Sequence, residues 1–302
     1  MYTAADDKQV TVLISLDLSA AFDTVDHEVL LQRLQSEFGV TDTPLSWLRF
    51  YLESRTQFVK LGQHQSPAVG LDVGVPQGSV IGPLLFAVFC SPVADVFVSH
   101  GVQFYQYADD TQLCLTIPSD NTSDSLYSLR VVLTSDNIVP KNGLQLNPDK
   151  SKALIIGTAN QLRTANSVIT SVCVADVELP EAYEIKVLDC LLDRRLTFDK
   201  HVMAVTRSCN FHAQTIRHIR HPLSTDLAQT LACSLILTRL DYCNSVLYGA
   251  PVSSIQKLQR VQNNAARIVL QALKRSHAKP LMRQLHWLPV QHRIDYEVSV
   301  LT

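Results

Sequence analysis

The sequence predicts an α+β protein in two parts: sheet and helices over residues 1–197, then an all-helical part over 198–302. Three observations carry this. The stretch Phe104-Tyr105-Gln106-Tyr107-Ala108-Asp109-Asp110-Thr111-Gln112-Leu113 leads an aromatic run into two adjacent carboxylates and out through Leu113, Leu115 and Ile117, the pattern of an antiparallel hairpin with an Asp-Asp turn. Val10 to Leu18 is β-rich and almost continuously apolar, which suits a central buried strand. From Phe198 the apolar residues recur at helical spacing, most clearly at Ile255, Leu258, Val261, Ala265, Ile268 and Val269.

Composition sets the outer limits. The chain has 302 residues, a length that fits about two domains, and 46% apolar against 18% charged residues is ordinary globular usage. The formal net charge of −2 hides an asymmetry: residues 1–206 carry 14 Lys and Arg against 24 Asp and Glu, whereas 207–302 carry 12 against 4. An acidic part joined to a basic one suits metal holding in the first and anion holding in the second, although charged faces are also common simply as solvated surface. Seven Cys without any Cys-x-x-Cys spacing argue against a disulfide framework and favour a reducing compartment. Met1 to Gln9 has no apolar core and is no signal peptide. The longest apolar run, Pro83 to Val98, is interrupted by Pro92 and Asp95 and is expected to be too short to span a bilayer.

Taken in order, the strand Val10 to Leu18 carries Asp17 at its end. Asp26 is placed to cap a helix bearing Val29, Leu30 and Leu34 and closed by Gly39. Thr43-Pro44 opens a second helix with Trp47, Leu48 and Tyr51, Pro44 taking the first helical position. Thr56–Leu61 and Ala68–Val73 read as a hairpin. Three glycines and two prolines in Gly74-Val75-Pro76-Gln77-Gly78-Ser79-Val80-Ile81-Gly82-Pro83 make a loop with close backbone approach, followed by an apolar helix through Leu84, Leu85, Val88 and Phe89. A helix is expected over 122–139, a strand over Ala153–Gly157 after the turn at Asn147-Pro148-Asp149-Lys150, and short strands within 168–177. Lys186–Leu196 reads as a hairpin with Asp193-Arg194 near its turn. Helices follow at about 198–220, 225–247, 253–273 and 279–286, with Lys257, Arg260, Arg267, Lys274 and Arg275 forming a basic surface.

Adjacent acids at a tight turn repel one another, and burying either costs free energy unless a cation is present. A divalent ion accounts for Asp109-Asp110, as does an ordinary polar turn, since Asp is common in turns. Asp17 closes a buried strand, and strands spaced about 4.8 Å apart can bring it to the same place. Nucleotidyl transfer by two ions about 3.5–4 Å apart needs carboxylates gathered in this way.

Four motifs in order then resemble the reverse transcriptase of LINE-type (non-LTR) retrotransposons, in the jockey-like group. Leu16-Asp17-Leu18-Ser19-Ala20-Ala21-Phe22-Asp23 is similar to that family's first catalytic motif, Val75-Pro76-Gln77-Gly78-Ser79 to its template and nucleotide loop, Tyr107-Ala108-Asp109-Asp110 to its catalytic hairpin, and Leu146-Asn147-Pro148-Asp149-Lys150 to the lysine motif that follows. The likeness continues through Arg239-Leu240-Asp241-Tyr242-Cys243-Asn244, Leu258-Gln259-Arg260-Val261-Gln262-Asn263 and Leu285-His286-Trp287-Leu288-Pro289. The resemblance implies a polymerase palm, an antiparallel sheet with helices packed on one face, followed by an α-helical thumb-like domain, with the primer grip in the hairpin 186–196. It implies RNA-directed DNA polymerase activity, with two Mg²⁺ (or Mn²⁺) held by Asp17, Asp109, Asp110 and the carbonyl of Leu18, and with Lys150 near the pyrophosphate as a proton donor. Phe22 would exclude a 2′-hydroxyl, a position that core packing also explains, while Gln77 and Gly78 would contact the template base and incoming nucleotide. The implied partners are an RNA template, a DNA primer or target DNA and deoxynucleoside triphosphates, without a membrane, in a nuclear or cytoplasmic ribonucleoprotein.

The likeness has gaps. Only Met1 to Gln9 precede the first strand, where the family has a fingers region and an earlier endonuclease domain, so the expectation is an N-terminally truncated copy. Leu188-Asp189 stands where the family has Leu-Gly, and Ile138-Val139-Pro140-Lys141 where it has a Trp. Two other classes fit the same residues: a catalytically inactive remnant that only binds nucleic acid, and an RNA-templated RNA polymerase.

Overall fold

A computed structural model describes residues 7, 9–19, 21–76, 78–99, 101–118, 145–147, 149–168, 172–174 and 177–302. The chain divides into two compact units, Met1–Ile185 and Lys186–Thr302. The helix expected over 122–139 lies outside the described residues.

The first unit is built on a four-stranded antiparallel sheet in the order β10-β1-β8-β7, formed by β1 (Gln9–Leu16), β7 (Gln103–Tyr107), β8 (Asp110–Pro118) and β10 (Lys152–Ile156). β1 holds an interior place, as its continuous apolar run requires. Alternation sorts its side chains. Val10, Val12, Ile14 and Leu16 share one core with Leu113, Ile117, Ala153 and Ile155, and with the helices of this unit. Thr11 and Leu13 on the opposite face are buried as well.

Helix α1 (His27–Ser36) begins where Asp26 accepts a hydrogen bond from the Val29 N–H at 2.9 Å, and it buries Leu30, Leu31 and Leu34. Helix α2 runs over Asp42–Leu52, so Pro44 is its third residue rather than its first. Pro remains tolerable there because the first-turn N–H groups have no partner within a helix. The expected hairpin appears as two nested ladders. β3 (Arg55–Gln57) pairs with β6 (Val69–Leu71), and β4 (Lys60–Leu61) pairs with β5 (His64–Gln65).

Helix α3 (Gly82–Ser99) corrects the sequence reading more sharply, because it runs unbroken through Pro92 and Asp95. Pro92 removes the N–H that would serve the Val88 carbonyl. The Ser91 hydroxyl donates to that oxygen instead, at 2.8 Å, and the Arg33 guanidinium donates to the Phe89 carbonyl. At 18 residues α3 is long and apolar enough to cross a membrane, yet Leu85, Phe86, Phe89, Cys90 and Phe97 lie in the core of this unit. β2 (Leu18–Ser19) pairs with β9 (Gln145–Leu146), helix α4 covers Ala159–Val168, and β11 (Val172–Val174) pairs with β12 (Val177–Leu179).

The boundary differs from the expected 197/198. β13 (Glu184–Val187) and β14 (Cys190–Asp193) form a hairpin at the junction, and Cys190 and Leu192 pack into the core of the second unit. The turn of this hairpin is Leu188-Asp189 and not Asp193-Arg194. Both turn residues have positive φ, 43° and 64°, the geometry of a two-residue turn that favours Gly. Asp193 instead organises the link to the next helix: its carboxylate accepts from the N–H groups of Arg195, Thr197 and Phe198 and from the Thr197 hydroxyl. Burial pushes this carboxyl up, but those donors outweigh it and hold the group below the usual carboxylate range.

The second unit is helical, as its periodicity predicts: α5 (Asp199–Ile219), α6 (Thr225–Ala232), α7 (Thr238–Asp241), α8 (Val252–Val269), α9 (Ala278–Gln284) and α10 (Val290–Leu301), with a π-helical turn at Cys233–Leu237. Buried Arg220 closes the C-terminus of α8. Its guanidinium donates to the carbonyls of Ile268, Val269 and Leu223 at 2.6–3.2 Å, satisfying acceptors that a helix end leaves open. Gln259 and Gln262 on α8 hold the turn into α10: Gln262 donates to the Leu288 carbonyl at 2.8 Å and Gln259 accepts from the Val290 N–H at 2.9 Å. Arg293 on α10 reaches both oxygens of Asp241 at 2.5 and 2.6 Å.

Two measurements follow. Arg220→Met is expected to lower the unfolding free energy of this unit by about 2–4 kcal/mol, read from the denaturant midpoint, because it strands several buried carbonyls. Asp189→Gly is expected to raise stability by roughly 0.5–1 kcal/mol, since relief of the positive φ outweighs an exposed ion pair to Lys186.

Candidate active site

The register of β1 against β8 builds the site. Leu16 lies opposite Thr111, so the next residue outward on each strand is a carboxylate: Asp17 on one and Asp110 on the other. Leu16 belongs to the helix-side core, and alternation therefore sends both carboxylates toward the other face. The hairpin turn itself is Ala108-Asp109, with Tyr107 paired to Asp110 across it. Asp110 thus opens a strand, and the expected Asp-Asp turn is corrected to Ala-Asp. Ala108 takes the strained place in the turn, with φ of 53°.

The carboxylates feel one another. Burial first, and then the charges of Asp109 and Asp17, hold the Asp110 carboxyl above its ordinary value. Burial pushes the Cys90 thiol of α3 up to about 12, against the pull of Arg33 and with the charge of Asp109 adding to the rise. Cys90 is therefore a neutral packing residue and not a nucleophile.

Asp17 stands at the break between β1 and β2 and is about one-third exposed. Lys150, itself well exposed, places its ammonium 3.7 Å from Asp17 Oδ2. Asp17 also has main-chain bonds that sequence reasoning missed. Its N–H donates to Ser151 Oγ at 3.2 Å and its carbonyl accepts from the Asn147 N–H at 2.8 Å. No motif signals Ser151; its role comes from total burial beside a strand that ends in a carboxylate. Leu18 pairs with Leu146 in the short β2–β9 ladder.

Phe22 lies in the short helical turn Ala21–Asp23 and is half-buried, its ring stacked on Phe86 of α3 with centroids 4.5 Å apart. The Gly-rich loop is tied to that turn. The Val75 N–H donates to the Phe22 carbonyl at 2.8 Å, the Gly74 N–H donates to Val25 at 2.7 Å, and His27 Nε2 donates to the Gly74 carbonyl at 2.7 Å. Gly74 has φ of 90°, and a Cβ there would meet the Asp23 backbone at 3.1 Å, so only glycine permits this approach. Gly78 is exposed with φ of 78°. Gln77 lies outside the described residues.

Of the sequence-predicted residues, the structure brings Asp17, Asp109, Asp110 and Lys150 together at one end of the sheet and sets Phe22 on the turn that carries the Gly-rich loop. Among the described residues, no three carboxylate, imidazole or thiol groups stand close enough to enclose an ion as they are. The donor chemistry nevertheless fits a hard divalent cation: three carboxylates supply oxygen ligands, and burial together with the charges of its two neighbours holds Asp110 up. In the second unit, Arg260, Lys274 and Arg275 are exposed, whereas Lys257 lies 3.9 Å from Asp199 and Arg267 donates to the Ser276 carbonyl. The expected basic surface is therefore smaller than the composition suggests.

The chain is thus an α+β protein with three neighbouring carboxylates at one end of an antiparallel sheet. Residues 1–192 match the family of reverse transcriptases (RNA-dependent DNA polymerases), and the chain belongs to that family. Its relatives support the LINE-type, jockey-like resemblance. It is 28% identical, over 98% of its length and 33% of the relative's, to the probable RNA-directed DNA polymerase from transposon BS of Drosophila melanogaster. The same identity holds against the probable RNA-directed DNA polymerase from transposon X-element of that species, over 88% of this chain and 29% of the relative. It holds again against the RNA-directed DNA polymerase from mobile element jockey, over 87% and 29%. The chain spans about a third of the length of these curated relatives. Among solved structures, telomerase from Candida tropicalis, determined with a fragment of telomeric RNA, is similar over 94% of this chain and 51% of that one, with 11% identity and a TM-score of 0.44.

The electrostatics give one measurement. A carboxyl held above its unfolded value opposes folding once ionised, so its contribution is most favourable below the unfolded pKa and is lost as pH rises through the folded pKa. Asp110→Asn is expected to raise the thermal midpoint at pH 7.5 by roughly 1–3 °C, allowing for solvent screening. The gain should vanish near pH 3, and a gain that persists there would assign it to packing instead.

Proposed function

We propose that this chain supplies RNA-directed DNA polymerase activity of a non-LTR retrotransposon, extending a DNA primer or target-DNA 3′-end on an RNA template with deoxynucleoside triphosphates. The observation that carries the reading is the register that sets Asp17 beside Asp110, next to Asp109. The first unit then acts as the palm with partial fingers, the hairpin 186–196 as the primer grip, and the basic helices from 198 as the thumb. A ribonucleoprotein in the nucleus or cytoplasm is the matching location.

Asp17, Asp109 and Asp110, with the carbonyl of Leu18, would hold two divalent ions, Mg²⁺ in preference to Mn²⁺. Such ions supply charge stabilisation for the attacking and leaving oxygens of an in-line displacement. The residues themselves do the rest. Lys150, at the carboxylate cluster and exposed, is available to protonate the leaving pyrophosphate. Phe22, braced by Phe86, offers an aromatic wall against a 2′-hydroxyl. Gln77 and Gly78 would meet the template base and the incoming nucleotide, and the loop that carries them is fastened to the Phe22 turn at Val75. Arg260, Lys274 and Arg275 would grip phosphates with little sequence preference.

Primer extension on poly(rA)/oligo(dT) with Mg²⁺ and dTTP tests this with the purified chain. Incorporation is expected, with a loss of at least about a hundredfold in Asp109→Ala, the scale for removing a group that stabilises developing charge. Preference for UTP over dTTP would make the chain an RNA-templated RNA polymerase. Binding of the template–primer without incorporation would make it a silent remnant.

A further inference from the structure

Asp17 sits where two ladders of β1–β2 end. Ser15 pairs with Lys152 of β10, and the next rung is Leu18 with Leu146 of β9. Between them one strand has two residues and the other has five, so the longer side loops out and ordinary rungs cannot serve Asp17. Ser151 fills the gap. It is wholly buried, its Oγ accepts from the Asp17 N–H at 3.2 Å, and it donates to the Asn147 carbonyl at 2.8 Å. The Asn147 N–H in turn donates to the Asp17 carbonyl at 2.8 Å. The ring closes: both main-chain groups of Asp17 are held by the segment 147–151, and one serine hydroxyl is both acceptor and donor within it.

We propose that Ser151 is a positioning residue for the Asp17 carboxylate. The hydroxyl replaces a missing rung and fixes the main chain of Asp17, so the carboxylate is presented in one place at the end of the sheet. The same looped segment carries Lys150 to within 3.7 Å of that carboxylate, so its length and its anchor point are set together. Alanine keeps most of the volume and removes both bonds; cysteine keeps the shape and bonds weakly. The polymerase reading gives this arrangement its purpose, because two-metal chemistry requires a carboxylate that does not wander.

The test uses the full chain with Ser151→Ala and Ser151→Cys. Amide hydrogen exchange at Asp17 is expected to quicken by about tenfold or more in Ser151→Ala, while Val12, Leu13 and Ile14 in the same strand stay protected. Mn²⁺ binding to the free protein, followed by its electron paramagnetic resonance signal, should weaken by roughly five- to tenfold. The Mg²⁺ concentration for half-maximal primer extension should rise by the same factor, with KM for dTTP unchanged, and Ser151→Cys should fall between the two proteins. Unchanged exchange at Asp17, or quicker exchange with Mn²⁺ binding intact, would overturn the proposal and leave Ser151 a packing residue. Should Ser151→Ala fail to fold, Ser151→Cys decides by the same two readouts. Exchange and Mn²⁺ binding need no turnover, so a chain that extends no primer would refute the polymerase reading and leave this inference standing or falling by itself.

Discussion

The antiparallel register of β1 on β8 governs the site. Strand side chains alternate with a period of two, so a slip of one residue would exchange the two faces. Asp110 would then enter the core shared by Phe86, Phe89 and Ile14, and a carboxylate there would have no partner. The core thus enforces the placement of the acids: Val12 opposite Leu115 and Ile14 opposite Leu113 fix the register, and Asp17 and Asp110 follow from it. A site of repelling charges is tolerated because the apolar pairs beside it leave no alternative alignment.

The second unit relies on a different bond type. Its helices share an apolar core, but the connections between them are fixed by side chains that reach main-chain groups: Arg220 on the end of α8, Gln259 and Gln262 on the turn before α10, and Asp193 ahead of α5. Arg293 is bound to Asp241, and Arg267 to a carbonyl. A good part of the positive charge that distinguishes this half of the sequence is therefore structural. What remains for an anionic partner is a sparser set, presented by Arg260 and the segment around Lys274 and Arg275.

Much of this was legible in the sequence because the strongest signals are local. The apolar run of β1, the Asp26 cap, the Gly-Pro loop and the helical stripe on α8 each appear as read. The errors lie where a local rule met something it does not count: a partner elsewhere in the chain, an unusual φ, or a narrow buried stripe. Pro92 should interrupt a helix, but the Ser91 hydroxyl supplies the donor it removes. The Asp-Asp turn shifted by one residue because the pairing of β7 with β8 extends to Asp110, opposite Tyr107. The turn at Leu188-Asp189 was missed because neither residue is Gly, although both adopt positive φ. Helix α10 was missed because only Val290 and Ile294 are buried along it, too narrow a stripe to register. Ser151 was invisible because its significance lies in a bond to a residue 134 positions away.

That long reach bears on how the chain is made. β1 emerges about a hundred residues before β8, its first partner in the sheet, and at roughly 5–20 residues per second it waits several seconds without a neighbour. Its eight residues are uncharged and rich in β-branched and aliphatic side chains, the composition that seeks other strands. The charges that flank it, Asp6, Asp7 and Lys8 on one side and Asp17 on the other, sit where gatekeepers against aggregation belong. The carboxylate that ends this strand thus also has the placement of a gatekeeper in the nascent chain.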